Sequence, residues 1–262
     1  MLGRVALMLS LLLAAGCAMQ PSAPEAAKKE LAPTGKLRAG MNFGNTLFTT
    51  GKTATGDPVG VAADVMQELA KRLGVPLEMV NHATPGNVAD AVDKNTWDVT
   101  ILAIEQSRAV TIAFSPPISE IEATYAVRKD SPLRTASQVD SAGVRIAAPE
   151  KAGYELYLTR TLKSATLVRT KSFAASIELF NAKGADAVAA LKPNLLESMA
   201  KLPDARLLEG NFMTVNHGLG TPRARGTAGA AYLKAFVEDI NASGFVARSI
   251  ERHRVKGLSA VK

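Results

Sequence analysis

The strongest constraint in this sequence is an alternation of short apolar strands and amphipathic helices that runs twice through the chain. Lys36–Phe43 alternates apolar with other residues at period two, which predicts a strand. Val61–Leu73 sets Val65, Leu69 and Leu73 four residues apart with Ala62, Met66 and Ala70 beside them, an amphipathic helix stopped by Gly74. Val75–Asn81 reads as a second strand, Thr84-Pro85 opens a short helix, and Asp98–Ala103 is a third, largely apolar strand. The order then repeats. Gly143–Ala148 is a strand, followed by a helix expected to bury Leu156, Leu158 and Leu162; Ala165–Arg169 is a strand, Phe173–Asn181 a helix and Ala185–Ala190 a strand. Such alternation builds a mostly parallel α/β sheet, and two runs of it imply two lobes. Asn95-Thr-Trp-Asp98 and Lys183-Gly-Ala-Asp186 echo each other where a helix gives way to a strand, and a shared turn requirement suffices to explain the echo.

The chain ends in helices: Ala230–Ile240 carries Leu233, Phe236 and Val237 on one face, and Ser243-Gly-Phe245 restarts a helix with Val246 and Ile250. No strand follows, so both are expected to pack on the first lobe. Tyr125–Arg128 and Gly218–Gly220 read as two extended crossings, hence a hinge, and a hinge makes a cleft. The expected division is lobe 1 at 36–127 plus 218–262 and lobe 2 at 128–217.

Ahead of the folded part, Arg4 precedes the eleven-residue apolar stretch Val5–Ala15. Spanning a bilayer takes about 20 such residues, so this stretch has the proportions of an export signal. It ends in Leu13-Ala-Ala-Gly-Cys17, which resembles a bacterial lipobox. That resemblance implies removal of residues 1–16 as a signal peptide and acylation of Cys17, a lipid anchor to a membrane that buries none of the fold; an ordinary signal with an incidental cysteine is the alternative. Residues 17–35 contain three prolines and little apolar bulk and read as a flexible tether. The protein is expected to be periplasmic.

Composition removes several functional classes. A single cysteine among 262 residues excludes an intrachain disulfide framework and a Cys-based zinc cluster. His82, His217 and His253 lie far apart, so no metal or other cofactor is expected. The net charge of +7 invites a nucleic-acid reading, but basic residues are dispersed and the longest cluster, Glu251–Lys256, is interrupted by acid. No nucleic-acid partner is expected, and a monomer is.

Several ordered segments carry a family resemblance: Gly35-Lys-Leu-Arg-Ala-Gly40, the run Gly60–Gly74, Trp97-Asp-Val99, Ser107-Arg108 with Ala113-Phe-Ser-Pro-Pro117, Gly143-Val-Arg-Ile-Ala147, Gly184-Ala-Asp-Ala187 and Ser243-Gly-Phe245. Over about residues 36–256 the chain resembles the bacterial extracytoplasmic solute-binding proteins of ABC importers, in the family 3 branch for polar amino acids and related carboxylates. The resemblance implies a type II periplasmic-binding-protein fold, each lobe a mostly parallel sheet flanked by helices, joined by two hinge strands. It also implies a non-enzymatic protein that takes a small carboxylate-bearing solute to an ABC permease in the inner membrane.

The same resemblance assigns residues. Arg108 stands where the family's arginine clamps a carboxylate, work suited to a planar, permanently charged fork of donors. Backbone N–H groups would come from the turn at Ala103–Gln106 and from the second-lobe helix start at Pro149–Ala152, which includes Glu150 and Lys151. Helix N-termini favour anions. Phe43 and Phe48 would cover the apolar part of the solute. Departures are equally informative: Glu105 replaces a threonine, Pro149-Glu150 replaces a Gly-Thr pair, and Leu191 stands where amino-acid binders carry an aspartate for the α-ammonium. Either Glu105 or Glu150 supplies that charge from a new direction, or the solute lacks the amine, or both acids are solvated helix-start residues. Two other functions remain open on sequence alone: a dehydratase-like enzyme for a cyclic carboxylate with Glu105 or Glu150 as general acid, and a ligand-sensing partner subunit.

Overall fold

The computed structural model describes residues 23–261; the signal, the lipobox and Cys17 lie outside the described residues. In chain order the elements are α1 (Glu25–Leu31), β1 (Leu37–Asn42), the short β2 (Gly51–Lys52) and β3 (Pro58–Val59), α2 (Val61–Leu73), β4 (Leu77–His82), α3 (Pro85–Asp90), β5 (Val99–Ala103) and β6 (Ile112–Arg128). There follow β7 (Arg145–Pro149), α4 (Gly153–Thr161), β8 (Thr166–Thr170), α5 (Phe173–Asn181), β9 (Ala187–Leu191), α6 (Lys192–Ser198), β10 (Ala205–Leu207), β11 (Met213–Pro222), α7 (Ala228–Ala242) and α8 (Phe245–Arg252).

The main sheet runs β4-β1-β5-β11-β6-β9-β7-β8, with β10 also paired to β6. β4, β1 and β5 are mutually parallel, as are β9, β7 and β8. Between these triplets lies the antiparallel pair β11–β6, long enough to serve both. This is the two-lobed α/β architecture that the double alternation predicts.

Local chemistry sets the elements. α2 buries Val65, Leu69 and Leu73 and stops at Gly74, whose φ of 64° takes the left-handed cap that a side chain would oppose. The Thr84 hydroxyl accepts from the Asn87 amide at 3.1 Å and starts α3. The echo at Asp98 and Asp186 has a definite cause. Asp98 Oδ2 accepts from the Arg38 amide at 2.8 Å and Nε at 3.0 Å; Asp186 Oδ2 accepts from the Arg145 amide at 2.9 Å and Nε at 3.0 Å. Each aspartate fastens the first strand of its lobe to the neighbouring one, after a turn in which Asn95 has a φ of 53° and Lys183 one of 60°.

Three expectations are corrected. Residues 25–31 are not a tether: they form α1, and Ala27 and Leu31, one helical turn apart, are buried. Gly229 of α7 lies so close that a Cβ there would meet Leu31 Cδ2 at 2.9 Å, and the Glu30 carboxylate accepts from the Gly229 amide at 2.7 Å. α4 turns Tyr154, Glu155 and Leu158 inward, while Leu156 and Leu162 are only half-buried, because the helix begins at Gly153 and its 3.6-residue period sets that face. The passage between lobes is also displaced. Tyr125–Val127 already pairs with β9 and Gly218–Gly220 with β5, so the free spans are Glu120–Glu122 of β6 and Thr214–Asn216 of β11.

α7 and α8 pack on the first lobe as expected, α7 against α1 and β6 and α8 against α2. Beyond α8, Leu258 is buried and Ala260 bridges Ser119 at the base of the crossing.

Candidate functional site

A cavity lies where the C-terminal ends of the two parallel triplets face each other, the place where open α/β sheets take small molecules. Its interior gives the centre of a water molecule about 110 Å³. One wall comes from the ends of β1, β4 and β5: Asn42, Pro85, Leu102 and Ala103, with Arg108 just beyond. The facing wall comes from the ends of β7, β8 and β9: Gly153, Tyr154, Phe173, Leu191 and Asn194. Val215 and His217 of the crossing strand β11 close the floor.

Arg108 dominates the electrostatics. It begins a single 3-10 turn (Arg108–Val110) and is 5% exposed. One guanidinium nitrogen donates to the Ala103 carbonyl at 3.2 Å and the other, across the cleft, to the Lys151 carbonyl at 2.7 Å, while Nε is buried without a partner. Burial pushes its pKa down to about 10, opposed by the charges of Glu105, Asp90 and Glu155. The group stays cationic at any physiological pH. Each of those three carboxylates already has its own cation: Glu105 pairs with Arg160, Asp90 with Lys151 at 2.5 Å and Glu155 with Arg169 at 2.8 Å. Among the described residues Arg108 has no carboxylate of its own.

His217 is the polar group of the floor. The Asn45 amide Oδ1 accepts from Leu47 N at 3.2 Å, which turns its Nδ2 toward His217 Nε2 at 3.2 Å and makes that ring nitrogen an acceptor. Burial, then the nearby Arg108, drive the His217 pKa down to about 3, against a smaller pull from the Val215 backbone, so the ring is neutral. Burial also raises the Tyr154 hydroxyl above its ordinary value. The site thus combines one buried cation, a neutral imidazole, amides and apolar walls, and it suits an anion with an uncharged body.

Arg108, Ala103, Glu150 and Leu191 line this cavity, with Glu150 exposed. Lys151 does not line it. Its φ of +56° aims its carbonyl at Arg108, its amide at Glu155 Oε2 (2.8 Å) and its ammonium at Asp90. Glu105 is turned away, its carboxylate taken by Arg160 and by the Ser107 amide and hydroxyl. Burial pushes the Glu105 carboxyl up, but those hydrogen bonds and the Arg160 charge outweigh it and hold the group below the usual range. Phe43 also lies off the cavity, under the Lys52 ammonium at 4.4 Å from its ring. Phe48 is buried behind His217, ring centroids 4.9 Å apart, and supports the floor instead of facing the cavity.

Sequence reasoning missed His217, Asn45, Tyr154, Phe173 and Asn194. A lone histidine immediately before the expected Gly218–Gly220 crossing was the one available signal. The Asn45–His217 pairing joins residues 172 positions apart and had none.

Comparison with known proteins agrees with the two-lobed fold. The family described as bacterial extracellular solute-binding proteins, family 3, matches residues 37–254. A mutant of ArgBP from T. maritima superposes with a TM-score of 0.71 at 23% identity, covering 88% of this chain and 100% of that one. An amino acid ABC transporter substrate-binding protein from Streptococcus pneumoniae, bound to L-arginine, gives 0.70 at 20% identity over 90% and 99%. The ancestral amino acid-binding protein AncCDT-1, a precursor of cyclohexadienyl dehydratase, gives 0.69 at 21% identity over 86% and 98%. These likenesses show the fold. No curated relative matches. Among the described residues no helix is long and apolar enough to cross a membrane.

Proposed function

The chain belongs to the bacterial extracellular solute-binding proteins of family 3, and from that premise we propose that it captures a small carboxylate-bearing solute, an amino acid or related organic anion, and delivers it to an ABC permease. The reading extends to a monomer in the periplasm, held to a membrane by a lipid on Cys17. One observation carries it: Arg108, 5% exposed and on the cavity wall, has no carboxylate partner among the described residues. A buried cation without an anion is costly, and a carboxylate entering the cavity removes that cost through a bidentate, charge-assisted contact.

Acid catalysis by Glu105 or Glu150 has less support. Arg160 and Ser107 keep the Glu105 carboxyl ionised and outside the cavity, and Glu150 sits exposed at the rim.

The test is a thermal-shift screen of amino acids, oxo acids, dicarboxylates and aromatic acids. A ligand at 100 times its Kd adds about 2.7 kcal/mol of apparent stability. Arg108→Ala is expected to abolish that shift while the unliganded protein stays folded. A full shift in the variant removes Arg108 from the site.

A further inference from the structure

The charges around the cavity narrow the solute beyond the carboxylate reading, on which this step rests. We infer that the site accepts carboxylates lacking an α-ammonium and discriminates against zwitterionic amino acids. An α-ammonium is separated from its carboxylate by a single carbon. A solute whose carboxylate meets Arg108 therefore carries that ammonium into the field of the guanidinium, and it needs an anion of its own.

Among the described residues, Glu150 is the one carboxylate on the cavity lining, and it is exposed at the rim. The nearby acids are unavailable: Glu105, Asp90 and Glu155 are held by Arg160, Lys151 and Arg169. The neutral acceptors are also largely spent. Asn42 Oδ1 accepts from Gly44 N at 3.0 Å and Asn45 Oδ1 from Leu47 N. Asn194 Oδ1 is buried and unpartnered, an uncharged acceptor fit for a hydroxyl of the solute. Leu191, 6% exposed, presents an apolar surface where the cavity meets α6. The remaining charge is positive: Lys171 lies on the lining, and the first amides of α4, at Gly153 and Tyr154, have no intrahelical acceptor. An ammonium in this cavity would be desolvated among cations.

Calorimetric titration with matched pairs tests the inference: 3-phenylpropanoate against phenylalanine, glutarate against glutamate, lactate against alanine, and 5-guanidinopentanoate against arginine. In the pair that binds best, the amine-free member is expected to bind at least tenfold tighter, and Arg108→Ala to abolish both. Leu191→Asp is expected to reverse the order. Leu191 is the N-cap of α6, a position that aspartate fills well, so the variant should fold. Equal or tighter binding of the amino acid by the wild type, still lost in Arg108→Ala, overturns this inference and leaves the carboxylate reading standing. Binding by no member of any pair, or binding indifferent to Arg108→Ala, overturns both.

Discussion

A single methyl group at Gly153 should separate ligand capture from folding. A Cβ built on Gly153 at the start of α4 would lie 2.5 Å from the Ala103 Cβ at the end of β5, where ordinary contact is 3.4–4 Å. The two residues belong to opposite walls, so the clash exists only when the cleft is closed. Gly153 is not among the residues with positive φ, so alanine suits the backbone and should stabilise the helix slightly. Overpacking of this kind costs about 1–3 kcal/mol. Charged wholly to the closed arrangement at 1.4 kcal/mol per decade, that weakens binding by roughly 5- to 150-fold. Titration of Gly153→Ala with the tightest carboxylate from the screen measures the loss, and thermal unfolding of the unliganded protein should show none. Ala103→Gly in the same chain vacates the space, so the double variant should recover most of the affinity, a coupling that independent sites would not show. Affinity within twofold of wild type in Gly153→Ala, or no recovery in the double variant, refutes the steric argument.

Three further outcomes follow from the buried groups. His217 has its pKa lowered to about 3, so between pH 6.5 and about 3 the unfolded chain binds a proton that the folded ring refuses; stability therefore falls with acid by about 1.4 kcal/mol per unit in that window. His217→Gln should flatten the curve of unfolding free energy against pH there, and parallel curves would refute the assignment. Asp98→Asn leaves Arg38 and Arg225 facing a fully buried neutral amide and should cost about 3–5 kcal/mol. Asp186→Asn, at a site whose side chain is 40% exposed, should cost less than about 1 kcal/mol, and equal losses in denaturant unfolding would contradict the burial argument. Leu31→Ala should destabilise by about 2–5 kcal/mol if α1 is part of the core, whereas a tether would show no change.

The sequence made the repeated strand–helix order legible because the buried faces of α2 and α5 and the apolar runs of β5 and β9 each repeat at one period. α1 was illegible for the opposite reason. Its seven residues bury only Ala27 and Leu31, and that short stripe has meaning only beside α7, nearly two hundred residues away. β6 runs on through Pro116-Pro117, residues that cannot donate to a ladder, because β11 shifts register opposite them. At the cavity, Arg108 and Ala103 belong to segments that the family resemblance singles out. His217 and Tyr154 do not, since each arrives from a different element and looks like ordinary core until the walls are brought together. Phe43 and Phe48 were placed near the solute by their position in the first loop, which does not specify which way a ring turns.

Closing this cleft has two electrostatic consequences of opposite sign. It makes cross-cleft contacts, Lys151 to Asp90, Arg160 to Glu105 and Arg108 to the Lys151 carbonyl. Lys151 and Asp90 are each 52% exposed, and such a pair contributes about 0–1 kcal/mol. Closure also confines the Arg108 guanidinium with Nε unpartnered and every neighbouring carboxylate already matched, a cost of several kcal/mol for an unpaired ion. The second effect opposes the first in an empty cleft, where the buried Glu105 also keeps its contact with Arg160 only on closure. An anion in the cavity removes that opposing cost, because it satisfies Arg108 without weakening the other pairs. On the proposed function, ligand and closure are coupled through the Arg108 charge, and a ligand shifts the population toward the closed form to the extent that it supplies an anion there.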